Sequence, residues 1–286
     1  MDIYQQVTDS IIQSIEDNNT LPWLKPWKDS KGAVMLSMPH NLSSSTNYNG
    51  INILLLWLAQ ETGGYSANSW LTYKQAQAMG GNVCKGEKGT RIVFYKTVGA
   101  KKDKAGEVER DGYFMAKGFT VFNVEQCEGI EAPALPQPMP VTDTFMLDVC
   151  DSVGAEVRHG GNQAYFIPSQ DHIAMPLAEQ FNSMDNYNAT LAHELTHWTG
   201  HKSRLDRGFN HFEKQAVAME ELVAELGSAF ISAELGFELS EMRHANYIES
   251  WLQCLKDNKR AIFQAASAAQ KAHTFIKEAV LQEVAA

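Results

Sequence analysis

Residues 193–197 read His-Glu-Leu-Thr-His, and this pentapeptide constrains the chain more than any other feature. On an α-helix, residues four apart stack on one face, so His193 and His197 can offer two imidazole nitrogens to a single metal ion. Glu194 lies about 100° round the helix from His193, where it can reach a water on that metal without joining the ligands. Leu191, Leu195 and Trp198 supply an apolar face for the same helix, and Gly200 stands where a C-cap glycine belongs. The competing reading is a surface helix with an accidental histidine pair.

A catalytic zinc takes a third protein ligand and leaves its fourth position to water. In the longer HExxHxxGxxH pattern that ligand would fall on Ser203, and His201 is out of phase with it. The third ligand is therefore expected from a later helix. Glu220-Glu221-Leu222-Val223-Ala224-Glu225 supplies one, with Glu221 and Glu225 on one helical face backed by Leu222, Leu226 and Phe230. The segment resembles the gluzincin arrangement, in which a helix after HExxH contributes a glutamate ligand and a residue one turn later orients a ligand histidine. That resemblance implies that Glu221 binds the metal and that Glu225 accepts the free N–H of His193 or His197. Glu220 competes for the ligand position. Zn2+ is the expected ion, with Mn2+ or Co2+ compatible with the same donors. Zinc acidifies its water, Glu194 would take the proton, and the expected reaction is peptide hydrolysis. His244 and Tyr247 are candidate donors to the oxyanion.

The chain has 286 residues, 44% of them hydrophobic, enough for one large or two ordinary folded domains. Pro133, Pro136, Pro138 and Pro140 fall within eight residues and favour extended backbone, so residues 128–140 are read as a linker between domains at 1–127 and 141–286. Apolar spacings of three and four predict helices over 3–18, 51–60, 72–79, 142–153, 186–199, 212–235, 240–256 and 258–284, with 176–183 also helical. Strands are expected at 91–98 and 113–124, as a pair at 155–158 and 164–167 turning at Gly160-Gly161, and at 173–175. The fold class is α+β: an N-terminal α+β domain, then a mostly helical domain with a small sheet. The four cysteines form no CxxC pair, which suggests neither a disulfide framework nor a thiolate zinc site. No run approaches a membrane span and no signal segment is recognised, so a cytoplasmic protein without a membrane partner is expected.

Taken as an average, a net charge of −10 argues against a nucleic-acid partner, but the average hides a split. Residues 1–128 hold thirteen basic and thirteen acidic side chains, and residues 129–286 hold eleven and twenty-one. Within the neutral half, residues 85–104 carry seven basic side chains against Glu87 and Asp103. Lys74, Lys85, Lys88, Arg91 and Lys96 are interleaved with Trp70, Tyr73, Phe94 and Tyr95. Cations beside aromatic platforms are what single-strand binders use, and Gly86 and Gly89 would let backbone N–H groups approach phosphate. The competing reading is that the aromatics are core and the lysines merely solvated.

Several segments together resemble the antirestriction protein ArdC family of conjugative plasmids, related to the N-terminal region of plasmid primases. They are Pro22-Trp23 and Pro26-Trp27, Asn47 to Asn52, Trp70 to Ala76, Gly80-Gly81, Lys85 to Thr90, Phe122 to Gln126, Ala192 to His201 and Glu220 to Phe230. The resemblance implies an N-terminal domain that binds single-stranded DNA and a C-terminal zincin-like metallopeptidase domain, protecting incoming plasmid DNA from host restriction enzymes. Double-stranded DNA and a host protein of the restriction system are further candidate partners. The second reading is a site-specific cytoplasmic metallopeptidase that cleaves a host protein and recognises it through the N-terminal domain.

Overall fold

The computed structural model describes residues 2–18, 37–98, 101–102, 108–110, 113–133, 145–208, 213–237 and 245–284. At 95–98, 101–102, 108–110, 113–115, 245–247 and 282–284 the backbone alone is described. The Pro22–Trp27 loop, the proline run from residue 134, His244 and the side chains of Tyr95, Lys96 and Tyr247 therefore lie outside the described residues. The chain forms two compact units, Met1–Gln6 with Pro39–Ala134, and Val7–Met38 with Leu135–Ala286.

Helix α1 (Ile3–Asn18) follows the expected spacing and buries Val7, Ile11 and Ile15. Sequence order groups this helix with residues up to 127, but from Val7 onward it belongs to the second unit. There the Thr8 hydroxyl donates to the Lys259 carbonyl at 2.8 Å, and Lys256 Nζ pairs with Glu16 at 2.7 Å. An amphipathic helix goes where its apolar stripe finds cover, and adjacency in sequence does not specify where that is.

The first unit contains β1 (His40–Asn41), β2 (Thr46–Asn47), α2 (Ile51–Gly63), β3 (Ser69–Leu71), α3 (Tyr73–Ala78), β4 (Asn82–Val83), β5 (Thr90–Val98), β6 (Lys101–Lys102), β7 (Val108–Arg110), β8 (Tyr113–Asn123) and β9 (Cys127–Glu128). Its main sheet runs β2-β1-β3-β8-β5. The long antiparallel pair β5/β8 extends from Thr90 opposite Val121 to Val98 opposite Tyr113. Leu56 of α2 packs with Trp70, Ile92 and Val121. Thr72 and Gln75 close α3 with a reciprocal capping box, each side chain satisfying the other's backbone N–H. Asn52 of α2 reaches the edge strand, where its Nδ2 donates to the Val93 carbonyl and its Oδ1 accepts from the Val93 N–H, both at 2.8 Å.

The second unit continues with α4 (Phe145–Val153), β10 (Glu156–His159), β11 (Tyr165–Ile167), β12 (His172–Met175), α5 (Met184–Thr199), α6 (Lys214–Leu235), α7 (Ala245–Asp257) and α8 (Ala261–Val284). The expected β10/β11 pair does not form. Both strands pair with β12, β10 in parallel and β11 antiparallel. Ile173 and Met175 are fully buried, so the strand at the centre is the most buried of the three. The helix expected over 176–183 is only a 3-10 turn at Ala178–Gln180. Ser183 stops it by capping α5, accepting from the Asn186 N–H.

Helices α5 and α6 form the heart of this unit. A Cβ on Gly227 would lie 2.4 Å from Thr196 Cγ2 and 2.5 Å from its Oγ1, so glycine lets the two backbones approach. Beside it, the Ser228 hydroxyl donates to the Ala189 carbonyl at 2.9 Å. Thr196 is fully buried and its hydroxyl is tied to the Ala192 carbonyl at 2.8 Å, so it cannot swing away. Gly227→Ala gains about 1 kcal/mol of helix propensity, whereas overpacking costs about 1–3 kcal/mol and more where nothing yields. The expected outcome of chemical denaturation is a net loss of stability with helical content retained.

Candidate metal centre

Helix α5 places His193 and His197 one turn apart, their rings edge to face with centroids 4.8 Å apart. Helix α6 brings Glu221 opposite both. His193 Nε2 lies 3.6 Å from Glu221 Oε2, and His197 Nε2 lies 3.6 Å from Glu221 Oε1. One ligand atom from each of the three residues lies within 4.8 Å of the others. Ligands of a tetrahedral zinc with bonds of about 2.0–2.1 Å stand roughly 3.3 Å apart, so small side-chain adjustments suffice for these donors to hold one divalent cation. Two imidazole nitrogens and a carboxylate oxygen suit such an ion chemically as well.

The far sides of both rings are also engaged by carboxylates. Glu225 Oε1 lies 3.3 Å from His193 Nδ1, and Glu220 Oε1 lies 3.2 Å from His197 Nδ1. With a carboxylate oxygen behind each Nδ1, each Nε2 is left facing Glu221, the side from which a neutral imidazole would bind a metal. Sequence reasoning assigned such a partner to only one histidine and treated Glu220 as a rival ligand. Glu220 instead faces the back of His197, where Arg207 holds it. Arg207 Nη2 donates to Glu220 Oε1 at 2.7 Å and Nε to Oε2 at 3.1 Å. The same guanidinium donates to the Thr196 carbonyl at 2.6 Å and the Thr199 hydroxyl at 2.8 Å, fixing it against the end of α5. Arg207 was not singled out from sequence because it follows the helix in a segment without periodicity; only its position ten residues past the HExxH motif could have marked it.

Electrostatics favour a cation here. Burial pulls the His193 pKa down, but Glu221 and Glu225 on either side of the ring more than offset it and hold the imidazole well above its ordinary value. Burial likewise pushes Glu221 and Glu220 up. The histidines, joined for Glu220 by Arg207, overcome it and leave both carboxyls below their usual range. Glu194 is only 7% exposed, next to the ring of His193 in sequence and within its electrostatic reach.

In the first unit the expected DNA-facing residues divide. Lys74, Lys85, Lys88 and Arg91 are exposed, and Tyr73 is 46% exposed. Trp70 is fully buried, with Nε1 donating to Asn68 Oδ1 at 2.9 Å and its ring edge-on to Tyr65. It is a core residue and offers no face to a base. Gly89 serves packing, since a Cβ there would lie 2.4 Å from Thr120 Cγ2. Gln126 Nε2 fastens the Lys85–Thr90 turn by donating to Glu87 Oε2 at 2.7 Å and to the Lys88 carbonyl at 3.1 Å. No described helix is long and apolar enough to cross a membrane.

Residues 146–268 match the family described as zincin-like metallopeptidase, and residues 1–122 match the N-terminal domain of anti-restriction factor ArdC. The chain is 41% identical over 280 residues to uncharacterized protein y4eC of Sinorhizobium fredii, covering 94% of this chain and 90% of that one. It is 36% identical over 294 residues to the DNA primase TraC of Escherichia coli, spanning 96% of this chain but 20% of the primase. Among solved structures, the crystal structure of antirestriction protein ArdC from the R388 plasmid, in its metal-free form, superposes with a TM-score of 0.84 at 41% identity over 99% of both chains. Its Mn(II)-bound form gives 0.82 at 40% identity over 98% of both. With both family domains matched in order and 99% of its length shared with that structure, the chain belongs to the antirestriction protein ArdC family.

Proposed function

We propose that this protein defends incoming plasmid DNA against host restriction, binding single-stranded DNA through its N-terminal unit and carrying a zinc-peptidase-type site in its C-terminal unit. The observation that carries the metal reading is the pair of imidazole Nε2 atoms turned toward one carboxylate, each with its Nδ1 backed by another. His193, His197 and Glu221 are the ligands in this reading. Glu225 and the Arg207–Glu220 pair orient the two rings. The nitrogen-rich donor set favours Zn2+; the related R388 protein was crystallised with Mn(II), so manganese and cobalt belong in the same test. Such an ion supplies Lewis acidity, polarising a carbonyl and acidifying water. Glu194, buried beside the ligands but not one of them, accepts the water's proton and returns it to the leaving amine. A protein target and cytoplasmic action follow from the peptidase reading and stand or fall with it.

Elemental analysis of purified protein is expected to show about one zinc per chain. Glu221→Ala should lose it, whereas Glu220→Ala or Arg207→Ala should retain a site weakened about 10–100-fold, as for lost orienting partners. Full loss in Glu220→Ala with retention in Glu221→Ala would reverse the ligand assignment. Arg207→Ala also leaves the partly buried Glu220 without its guanidinium, at a cost of about 1–3 kcal/mol, so its metal titration is to be run below its melting transition.

Glu194→Ala keeps every ligand and removes only the base. If catalysis defends the plasmid, transfer of DNA carrying restriction sites into a restricting host should drop to the level without the protein. Undiminished protection by a metal-loaded Glu194→Ala protein would assign the defence to binding alone.

A further inference from the structure

We infer that the exposed face of the β5/β8 ribbon is a base-stacking surface for single-stranded DNA, with Phe94 and Phe119 as platforms and Lys117 as their phosphate contact. This rests on the single-stranded DNA reading of the N-terminal unit and locates its surface. Phe94 is 57% exposed and Phe119 40% exposed, which is unusual for phenylalanines when covered positions are available. Ile92 and Val121, on the same face of the same ribbon, are buried. The strand register explains the grouping. Phe94 stands opposite Lys117 and Ile92 opposite Phe119, and side chains two apart share a face. The two rings meet edge to face with centroids 5.8 Å apart at 86°, and both stay open to solvent. Lys117 is exposed, with its ammonium 5.4 Å from the Phe119 centroid.

Charge selects the occupant. The twenty residues of β5 and β8 include Arg91, Lys96 and Lys117 and no aspartate or glutamate. The register puts Lys117 on the Phe94 face and Arg91 on the opposite one, so on this face an apolar protein partner would meet a cation and no carboxylate of the ribbon. A polyanion with flat, unpaired bases satisfies both the rings and the charge. Duplex DNA offers the phosphates but keeps its bases stacked, so the surface favours single strands.

The test uses the full-length protein and fluorescence anisotropy with a labelled oligo-dT, an abasic oligonucleotide of equal length and a duplex. Phe94→Ala and Phe119→Ala should each weaken oligo-dT binding about tenfold, while abasic and duplex binding stay at the wild-type level. Lys117→Gln should weaken all three ligands and lower the salt slope by about one counterion. Both rings are exposed, so unchanged melting curves are expected. Wild-type binding of oligo-dT that survives the double ring replacement would overturn this surface and leave the DNA reading standing. Equal weakening of the abasic ligand by the ring variants would also overturn stacking. A wild-type protein that binds none of the three would remove the surface and the DNA reading together.

Discussion

The close contact of Thr196 on α5 with Gly227 on α6 sets the geometry on which the metal centre depends. Helices usually pack 8–10 Å apart, according to the side chains between them, and glycine here lets a buried threonine fill that space. The α6 face directed at α5 carries Glu221, Glu225 and Ser228 at spacings of four and three. Ser228 bonds to the α5 backbone, which registers the two helices along their length. Glu221 and Glu225 then meet the two sides of the His193 ring. A shift of one turn would put one carboxylate in the other's place and leave one side of the ring without an oxygen, so packing in the core and ligand geometry are one constraint.

The paired carboxylates behind the histidines carry this precision to the imidazoles. Each ring has one carboxylate oxygen behind and one ahead, which confines its tilt. The arrangement concentrates negative charge in a partly buried place. Arg207 neutralises one carboxylate and ties it to the end of α5, which leaves the remaining excess on the side where a cation would sit.

Long elements and the grouping of the candidate metal residues were legible because helical periodicity both names the element and says which side chains share a face. His193, His197, Glu221 and Glu225 sit on two such helices, and the structure brings all four together. Legibility failed where contacts come from afar. The two-residue strands β1, β2, β4, β6 and β9 have no periodic signal. The β10/β11 pairing was misread because a glycine turn indicates a reversal but not whether another strand lies between. Trp70 was misassigned for a related reason: composition places an aromatic on a strand, but only the tertiary fold says which face is covered. Arg207 acts through a loop, where neither pattern applies. The Asn47–Asn52 and Lys85–Thr90 segments, which carried the family resemblance, are largely folding devices, judged by the bonds of Asn52 and Gln126.

Asn52 has a consequence for how the protein behaves among its own copies. Strand β5 is the outer strand of its sheet, and an outer strand with unmet backbone groups invites a foreign strand to zip alongside. The Asn52 carboxamide occupies both groups of Val93, mimicking a neighbouring peptide for one residue in the middle of that edge. A would-be intruder must first displace it, so the ribbon can present sticky phenylalanine rings to solvent without its edge seeding fibrils.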